Sequence, residues 1–319
     1  MTTARGTGAT PLIWRNGTLI PWDDATLHVM SHVVHYGSSI FEGIRCYKGP
    51  SGGAVFRLRD HMRRFVDSAR VYRMPLGYDL DQLCDAVVET IAGNELEHCY
   101  IRPLAVRAGQ EMGILPVTAP VEVFVICWHW GAYLGPDSME KGVDATVSSW
   151  RRPAADTFPT MAKAGGNYLN SQLAKGEAKL DGYAEGIMLD VHGHLAEGSG
   201  ENLFLVRDGV LYTAPLAASI LQGITRDSVV AIAKDLGYEV REALMPREML
   251  TLADEVFFTG TAVEVTPVRS VDRQLVGDGG RGPITRAIQE RYLAIATGKA
   301  ADSRGWLTPV REPAAALRS

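Results

Sequence analysis

The sequence predicts an α/β protein made of two layered α+β domains. At 319 residues the chain is roughly twice as long as a typical domain of about 150 residues. Segments that read as hairpins lie among segments with helical periodicity, which favours layered domains over one doubly wound sheet. The glycine-containing stretch 131–141 is the best linker candidate. We therefore expect a smaller N-terminal domain over 1–132, a linker over 133–142 and a larger C-terminal domain over 143–319, which includes Lys163.

The first predicted elements are a hairpin, two helices and several strands. Asn16-Gly17 predicts a two-residue turn that needs positive φ. Asp60 is a good N-cap for a helix, and apolar residues recur at helical spacing from Leu80 to Ile91. The predicted elements are the hairpin 12–22, a strand at 54–58, helices at 60–73 and 80–93, and strands at 100–106 and 121–128.

The second half again mixes strands with helices. Asp208-Gly209 predicts a hairpin turn, and Gly237 is expected to end an amphipathic helix. The predicted elements are a strand near 145, a helix at 168–180, strands at 186–190, 195 and 202–206, helices at 225–236 and 247–253, strands at 255–259 and 263–269, and a helix at 284–297.

Composition narrows the function classes. A hydrophobic content of 46% and a charged content of 22% are typical of ordinary globular proteins. The net charge of −5 provides no basic surface for nucleic acid. No apolar run approaches the ~18 residues of a membrane helix, and the first residues lack the apolar core of a signal peptide. The four cysteines form no C-x-x-C pair, so we expect a cytoplasmic protein without nucleic-acid or membrane partners.

Two motifs are better explained without a ligand. The run 277–282 matches G-x-G-x-x-G, but only a weak strand precedes it and too little chain follows for a dinucleotide fold. We interpret it as a surface turn. His28, His32 and His35 have a spacing that suits a metal, yet no carboxylate ligand lies among them. Packed or hydrogen-bonded histidines are the favoured interpretation, so no metal site is predicted, and a zinc site is the alternative.

The second half of the chain contains two candidate functional residues. Lys163 lies in MAKAGGNYLN, directly before a predicted helix. Gly165 and Gly166 beside it leave room for a backbone or a flat ligand, because glycine has no Cβ. Glu197 ends a predicted strand in LAEGSGENLF and could pair with a protonated ring nitrogen. Taken alone, the lysine is better explained as a solvated charge, and the acid can be explained as a surface residue in a turn.

Two further segments predict anion sites. Gly223 opens a predicted helix in LQGITRD, and the free N–H groups and positive dipole at a helix start attract anions. The small residues 259–262 follow the strand EVFF and present N–H and hydroxyl donors. With Lys163 and Glu197, they supply a Schiff-base amine, a partner for a pyridinium and two phosphate cradles. This combination indicates pyridoxal phosphate chemistry.

Long runs of sequence carry a family resemblance over roughly 12–307. They are HVMSHVVHYGSSIFEGIRCY, HMRRFVDSARVYRM, YIRPL, WGAYLG, AKAGGNYLNS, EGSGENLF, GITRDSVV and LADEVFFTGTAVEVTPVRSVD, with a closing GW. The chain resembles the branched-chain amino acid aminotransferases, which are class IV pyridoxal-phosphate-dependent transaminases. The resemblance implies the two-domain fold of that class, an active site in the interdomain cleft, and a homodimer or higher homo-oligomer.

The resemblance also implies how the cofactor, pyridoxal 5'-phosphate, is held. Lys163 is the implied catalytic residue and the Schiff-base partner of the cofactor. Glu197 pairs with the ring nitrogen and favours its charged form. The other implied contacts are Arg64, Ile224, Thr225 and Thr261 at the phosphate, Tyr168 at the phenolic oxygen and Leu221 on the ring face.

The implied substrate pocket is largely aromatic. Its residues are Tyr36, Phe41, Tyr100, Arg102, Trp130, Tyr133, Thr261 and Ala262, with Ile114 reaching in from a neighbouring subunit. Such a pocket suits leucine, isoleucine and valine, which differ by only ~1–3 kcal/mol per methylene in binding. Arg102 is the group that could accept the second carboxylate of glutamate. The roles of Arg45 and of His129, where many relatives carry a smaller or cyclic residue, stay open.

The resemblance implies a reversible ping-pong reaction. A branched-chain L-amino acid gives up its amine and leaves as a 2-oxo acid, and 2-oxoglutarate takes the amine to become L-glutamate. A D-amino-acid or (R)-amine transaminase, or an aminodeoxychorismate lyase, shares the fold and is the alternative. A non-catalytic binding protein is more remote, because Lys163 and Glu197 are both present.

Overall fold

The computed structural model describes residues 9–116, 118–131, 134–135 and 137–310. The chain forms two compact units. Unit 1 comprises the described residues of Met1–Trp130, Ala162–Gly166 and Ile295–Ser319, and unit 2 comprises those of Gly131–Met161 and Asn167–Ala294. The short segment Ala162–Gly166 thus groups with unit 1, whereas the sequence placed its lysine in the C-terminal domain. The domain boundaries given above stay a prediction.

Unit 1 contains an eight-stranded sheet and three α-helices among the described residues. The strands are β1 (Leu12–Arg15), β2 (Thr18–Pro21), β3 (Ser39–Phe41), β4 (Ile44–Gly49), β5 (Gly52–Phe56), β6 (Cys99–Arg107), β7 (Val121–Trp128) and β17 (Leu307–Pro309). They are ordered β17-β5-β4-β6-β7-β1-β2, with β3 paired to β6, and all pairs are antiparallel. The helices are α1 (His32–Tyr36), α2 (Leu58–Val71) and α3 (Leu80–Gly93).

Local sequence explains most of these boundaries. The predicted β1–β2 hairpin is confirmed, with φ of 48° at Asn16 and 98° at Gly17. α3 begins where Asp79 and Gln82 form a capping box, each side chain accepting from the other's backbone N–H. The prediction that Asp60 caps α2 was wrong. The helix begins at Leu58, and Asp60 in its first turn accepts instead from Arg57 Nε at 2.6 Å.

The core of unit 1 lies between its sheet and two helices. α2 contributes Met62 and Phe65 to this core, and α3 contributes Val87. They pack with buried strand residues such as Ile44 and Val125. Because the apolar positions of each helix recur at helical spacing, one stripe of each helix is buried while the other faces stay polar.

Unit 2 contains a nine-stranded mixed sheet and five α-helices among the described residues. The strands are β8 (Val143–Arg151), β9 (Glu185–Leu189), β10 (Leu195–Gly198), β11 (Asn202–Arg207), β12 (Val210–Thr213), β13 (Val240–Glu242), β14 (Glu255–Gly260), β15 (Glu264–Val271) and β16 (Gln274–Leu275). Their order is β10-β9-β8-β15-β14-β11-β12-β13, with β16 on β15 and a further β10–β11 pairing. The helices are α4 (Ser138–Lys141), α5 (Tyr168–Leu180), α6 (Ile224–Asp235), α7 (Met249–Leu252) and α8 (Pro283–Ala296).

Each face of the unit 2 sheet is covered. Leu205, Phe258 and Val268 belong to one apolar cluster with Leu250 of α7. On the neighbouring strands β11 and β14, Phe204 and Phe257 stack with ring centroids 5.1 Å apart. Successive strand residues point to opposite faces of a sheet. Leu205 and Phe258 therefore bury apolar groups on one face, and Phe204 and Phe257 bury them on the other.

The layered α+β architecture predicted from the sequence is therefore confirmed. The predicted bounds of α5 agree with the structure, and the Asp208-Gly209 turn joins β11 to β12 with positive φ at both residues. The GDGGRG run forms turns before α8. None of the helices in the described residues is long and apolar enough to cross a membrane.

Gly186 allows α5 to approach β9 closely. A Cβ added at this glycine would lie 2.8 Å from the carbonyl oxygen of Ala174 on α5. We expect Gly186→Ala to destabilise the protein by about 1–3 kcal/mol, since the helix must move away. The matched control is Gly176→Ala on α5 itself, where a Cβ meets nothing within 4 Å. It should stabilise by about 0.5–1 kcal/mol. Urea unfolding of both variants tests this, and equal effects would contradict it.

Candidate active site

The backbone of Lys163 is anchored to two elements of unit 1. Its carbonyl oxygen accepts from Phe41 N of β3 at 3.0 Å, and its N–H donates to Ser68 Oγ of α2 at 3.0 Å. The next residue, Ala164, forms an isolated antiparallel bridge with Ile40. The lysine therefore has a defined position against β3 and α2.

The amine of Lys163 lies in an apolar and cationic environment. Nζ is 5.0 Å from the centroid of the Phe41 ring. Burial, followed by the charge of Arg64 and with a smaller contribution from Arg102, lowers the pKa of Lys163 from 10.5 to about 8, although Glu42 and Tyr100 act in the opposite direction. A much larger fraction of this amine is therefore neutral near pH 7 than for an exposed lysine.

Arg64 is held by a buried carboxylate. Its Nε and Nη2 donate to Oε1 and Oε2 of Glu42 at 2.7 and 2.9 Å, and the Glu42 side chain is fully buried. His61 Nδ1 lies 2.7 Å from Glu42 Oε2. Although burial alone would raise the pKa of Glu42, Arg64 and His61 together hold it well below its usual range. The pKa of His61 is lowered, chiefly by burial. The ionised Glu42 thus orients the Arg64 guanidinium.

Aromatic rings surround Arg102 on β6. Its guanidinium carbon lies 4.6 Å from the Phe41 ring centroid, 5.5 Å from that of Tyr100 and 5.6 Å from that of Trp128. Trp130 packs edge-on against Tyr100 at 4.4 Å. Arg102 Nε is buried without a hydrogen-bond partner. The cluster therefore combines an apolar wall with a cation whose donor capacity is not exhausted.

Glu197 is the centre of a second cluster, which lies in unit 2. Its Oε1 lies 3.1 Å from Arg152 Nη2. Its Oε2 accepts from Asn202 Nδ2 at 2.9 Å and from Leu221 N at 3.1 Å. Arg152 Nε in turn donates to Ser219 O at 3.1 Å. These contacts supply hydrogen-bond donors to both carboxylate oxygens and fix the direction of the side chain.

At the start of α6, the backbone lies very close to the side chain of Asn202. Its N-cap, Gly223, makes no side-chain capping bond, and a Cβ there would overlap the amide oxygen of Asn202. Ile224 and Thr225 form the first turn and are buried. On β14, the hydroxyl of Thr259 is buried without a hydrogen-bond partner. The helix start suits an anionic ligand, and the Thr259 hydroxyl is a separate buried group in unit 2 that is open to a further hydrogen bond.

The site residues predicted from the sequence are divided between the two units. Lys163, Arg64, Phe41, Tyr100, Arg102 and Trp130 lie in unit 1, whereas Glu197, Leu221, Ile224, Thr225, Thr261, Ala262 and Tyr168, the first residue of α5, lie in unit 2. Tyr36 is 46% exposed and packs against His32, and Ile114 is 88% exposed. Tyr133 lies outside the described residues.

The three spaced histidines bond to the protein itself. His28 Nδ1 accepts from Met30 N at 3.1 Å, and His35 Nε2 lies 3.0 Å from Val29 O. His32 lies 2.7 Å from Ser38 Oγ and 2.9 Å from Gly113 O. No group of three or more potential His, Cys, Asp or Glu metal ligands occurs in the described part of the chain.

Sequence reasoning missed three groups that organise these clusters: Glu42, Arg152 and Asn202. Glu42 and Asn202 lie inside runs quoted for the family resemblance, FEGIR and EGSGEN, so a search for partners of Arg64 and Glu197 within those runs could have found them. Arg152 lies in the loop RRPAAD, and no local pattern connects it to Glu197, which is 45 residues further along the chain.

The donor set of the chain fits pyridoxal phosphate. It includes the Lys163 amine with its lowered pKa and the buried Glu197 carboxylate, which is bound by Arg152. It also includes the start of α6, where Gly223 has no room for a Cβ, and the buried hydroxyl of Thr259, which has no hydrogen-bond partner. These are the groups that a Schiff-base carbonyl, a pyridinium nitrogen and a phosphate require. Together with the mixed α/β units, they define a pyridoxal-phosphate-dependent enzyme.

Comparison with known proteins gives the family. The model of the amino-transferase class IV family matches residues 39–271. The branched-chain-amino-acid aminotransferase of Salmonella typhimurium is 52% identical over 299 residues, which is 93% of this chain and 97% of that protein. That of Escherichia coli K12 is 52% identical over 301 residues, 94% of this chain and 97% of its own.

Solved structures agree with these relatives. The crystal structure of the E. coli branched-chain amino acid aminotransferase superposes with a TM-score of 0.93 at 51% identity, covering 95% of this chain and all of that one. The branched-chain amino acid aminotransferase of Thermobaculum terrenum, solved in its PLP-bound holo-form, has a TM-score of 0.89 at 36% identity, with 96% of this chain and 100% of that chain covered. The chain belongs to the class IV aminotransferase family, whose members use pyridoxal phosphate.

The lowered pKa of Lys163 predicts a pH-dependent stability in cofactor-free protein. The folded-state pKa of about 8 is below the unfolded value of 10.5, so the fold disfavours the protonated amine. The resulting destabilisation is fully present below pH 8 and is relieved as the pH rises to 10.5. Relative to Lys163→Met, the wild-type protein should gain about 3 kcal/mol over this range. Urea unfolding across the range measures the difference, and parallel curves would show that the amine is not perturbed.

Proposed function

We propose that the protein transfers the amino group of L-leucine, L-isoleucine or L-valine to 2-oxoglutarate, reversibly and in a ping-pong cycle. The products are branched 2-oxo acids and L-glutamate, and the cofactor is pyridoxal 5'-phosphate. The observation that carries the proposal is the desolvated Lys163 amine beside Phe41, in a chain 52% identical to branched-chain-amino-acid aminotransferases.

Lys163 is the proposed catalytic base. When bound, pyridoxal phosphate supplies an electron sink for the negative charge that develops at the substrate α-carbon. The neutral amine of Lys163 takes the proton from that α-carbon, and its lowered pKa increases the fraction of base available near neutral pH. Its anchoring to Phe41 and Ser68 supports this role, because a base must be held within reach of the proton it removes.

Glu197 is the proposed partner of the cofactor's ring nitrogen. An ionised carboxylate favours the protonated form of such a nitrogen. Arg152, Asn202 and the backbone of Leu221 hold the carboxylate. The side chain of Leu221 is assigned to the ring face, and Tyr168 to the phenolic oxygen.

The proposed phosphate ligands are Arg64, Ile224, Thr225 and Thr261. Glu42 orients the guanidinium of Arg64 through two hydrogen bonds, and α6 presents its first N–H groups at Ile224 and Thr225. These groups anchor the cofactor and keep its ring in register without taking part in the proton transfer.

The proposed substrate pocket combines an apolar surface with a cation. Phe41, Tyr100 and Trp130 offer aromatic surface to a branched aliphatic side chain, and Arg102 lies among them. The guanidinium of Arg102 would accept the distal carboxylate of glutamate. Tyr36, Tyr133, Thr261, Ala262 and a neighbouring subunit's Ile114 complete the proposed set.

We also propose a homo-oligomer located in the cytoplasm. Met112, Ile114 and Leu115 are exposed by 48%, 88% and 78%, and exposed apolar clusters of this kind are typical of interfaces. All four cysteines are free thiols, as expected in a reducing compartment.

Initial rates with a panel of amino donors test the function. With 2-oxoglutarate as acceptor, we expect L-leucine, L-isoleucine and L-valine to react faster than D-alanine or (R)-1-phenylethylamine. Lys163→Ala should lower the rate with L-leucine by at least about 100-fold, since it removes the proposed general base. A preference for D-alanine or the (R)-amine would identify a different transaminase, and a fully active Lys163→Ala variant would contradict the assigned base.

Arg102→Met tests how two unlike substrates share one pocket. We expect KM for 2-oxoglutarate to rise about 10–100-fold, because a charge-assisted hydrogen bond contributes about 1.5–3 kcal/mol. The half-reaction with L-leucine, whose side chain carries no charge, is the internal control and should change much less. Stopped-flow measurement of the two half-reactions separates the effects. An equal loss in both would show that Arg102 acts on a feature common to both substrates.

A further inference from the structure

A buried ionisable cluster in unit 2 has no part in the proposed reaction. It consists of Lys175 on α5, Glu185 at the start of β9 and Glu201 next to the start of β11. The two glutamates are 0% and 4% exposed. Two carboxyl groups buried beside a single lysine require an explanation, because an uncompensated buried charge is strongly destabilising.

Glu185 binds both the lysine and the turn after Glu197. Its Oε2 accepts from Lys175 Nζ at 2.6 Å. Its Oε1 accepts from Gly186 N at 2.8 Å and from Ser199 N at 3.2 Å. Lys175 Nζ also donates to Ala184 O at 2.7 Å. Glu185 therefore forms an ion pair with Lys175 and is a fixed acceptor for the backbone of the turn.

Glu201 folds back onto the same turn. Its Oε2 accepts from Gly200 N at 3.0 Å, and its carbonyl oxygen accepts from Gly198 N at 2.7 Å. Oε2 also lies 2.9 Å from the position a Cβ would take on Gly198, so this carboxyl fills the space that the glycine leaves. The side chain and the backbone of Glu201 thus both hold the segment 198–200.

Charge balance indicates which carboxyl carries a proton. Burial and the charge of Glu185 raise the pKa of Glu201 to about 8, a hydrogen bond between the two carboxyls adds to the shift, and Lys175 opposes it. On β14, a Cβ added at Gly260 would lie 3.6 Å from Glu201 Cγ, so an uncharged glycine packs beside this side chain. With one proton on Glu201, the cluster of Lys175, Glu185 and Glu201 is electrically neutral.

The turn connects this cluster to Glu197. β10 and β11 pair Glu197 directly with Asn202, and Asn202 donates to the Glu197 carboxylate. Since the segment 198–201 joins these two residues, its conformation determines how the Glu197 carboxylate is presented.

We propose that Glu201 is a positioning residue whose protonated carboxyl donates to Glu185, clamps the turn 198–200 and thereby holds Glu197 in place for the ring nitrogen of the cofactor. This inference rests on the role proposed above for Glu197. Ionisation of Glu201 would put a second negative charge beside Glu185, repel it and loosen the turn.

The experiment compares wild type with Glu201→Gln, Glu201→Leu and a control, Glu290→Gln, which changes an exposed carboxylate paired with Arg286. Glutamine keeps a donor toward Glu185 and cannot ionise, whereas leucine has a similar size and no donor. The dissociation constant of pyridoxal 5'-phosphate is measured across the pH range that spans the titration of Glu201. The infrared spectrum of cofactor-free protein is recorded for the C=O stretch of a protonated carboxylic acid.

Lys163 titrates in the same range in every variant, so the comparison is made relative to Glu201→Gln: as the pH rises through about 8, wild type and Glu290→Gln should lose affinity for the cofactor relative to Glu201→Gln. On the acidic side of that value, Glu201→Gln should bind as tightly as wild type, while Glu201→Leu should bind about tenfold or more weakly. Glu201→Gln should also lose the part of the pH dependence that Glu201 causes. The carboxylic-acid band present in wild type on the acidic side should be absent in Glu201→Gln.

A Glu201→Gln variant with the wild-type pH dependence, or with the carboxylic-acid band unchanged, would overturn the proposal. So would a Glu201→Gln variant that binds as weakly as Glu201→Leu. Failure of the proposed function appears elsewhere, in wild-type rates with L-leucine, which do not enter these comparisons.

Discussion

Burying an ionised side chain costs several kcal/mol unless hydrogen bonds or an opposite charge compensate it. In this protein, the neighbours of each buried ionisable group determine how far that cost is compensated. Glu42 is fully buried and ionised because Arg64 and His61 bond to it. Arg152, Asn202 and a backbone N–H bond to the Glu197 carboxylate in the same way. Lys163 lies between opposing influences, and desolvation with two neighbouring arginines lowers its pKa to about 8. The result is two fixed carboxylates and one amine that readily gives up its proton.

We propose a distinct task in amino transfer for each of these groups. A carboxylate that stays ionised can keep a ring nitrogen protonated, and a lysine that is easily deprotonated can act as a base. Both requirements depend on neighbours from elsewhere in the chain: burial and Arg64 lower the pKa of Lys163, and Arg152 binds the Glu197 carboxylate. Glu201 extends the same logic, since its raised pKa lets a carboxyl act as a hydrogen-bond donor inside the protein.

Much of the fold could be read from local signals. The Asn16-Gly17 turn, the bounds of α5 and the Asp208-Gly209 hairpin depend on backbone conformations that particular residues favour. The start of α2 could not, because Asp60 is a good cap by type but its carboxylate bonds to Arg57, and the helix begins two residues earlier. The partners of the site residues could not be predicted either. Arg152 contacts Glu197 although the two residues are 45 positions apart in the sequence, and no local pattern encodes such a contact.

The sequence by itself determined the layered α+β class, the cofactor chemistry and the family, because residue types in long ordered runs carry that information. Only the tertiary structure decided the protonation behaviour of the site. Whether Lys163 is a solvated charge or a base, and whether Glu201 is an acid or a hydrogen-bond donor, depends on the desolvation and the charges around each group. Those surroundings come from segments distant in sequence, and they exist only once the chain has folded.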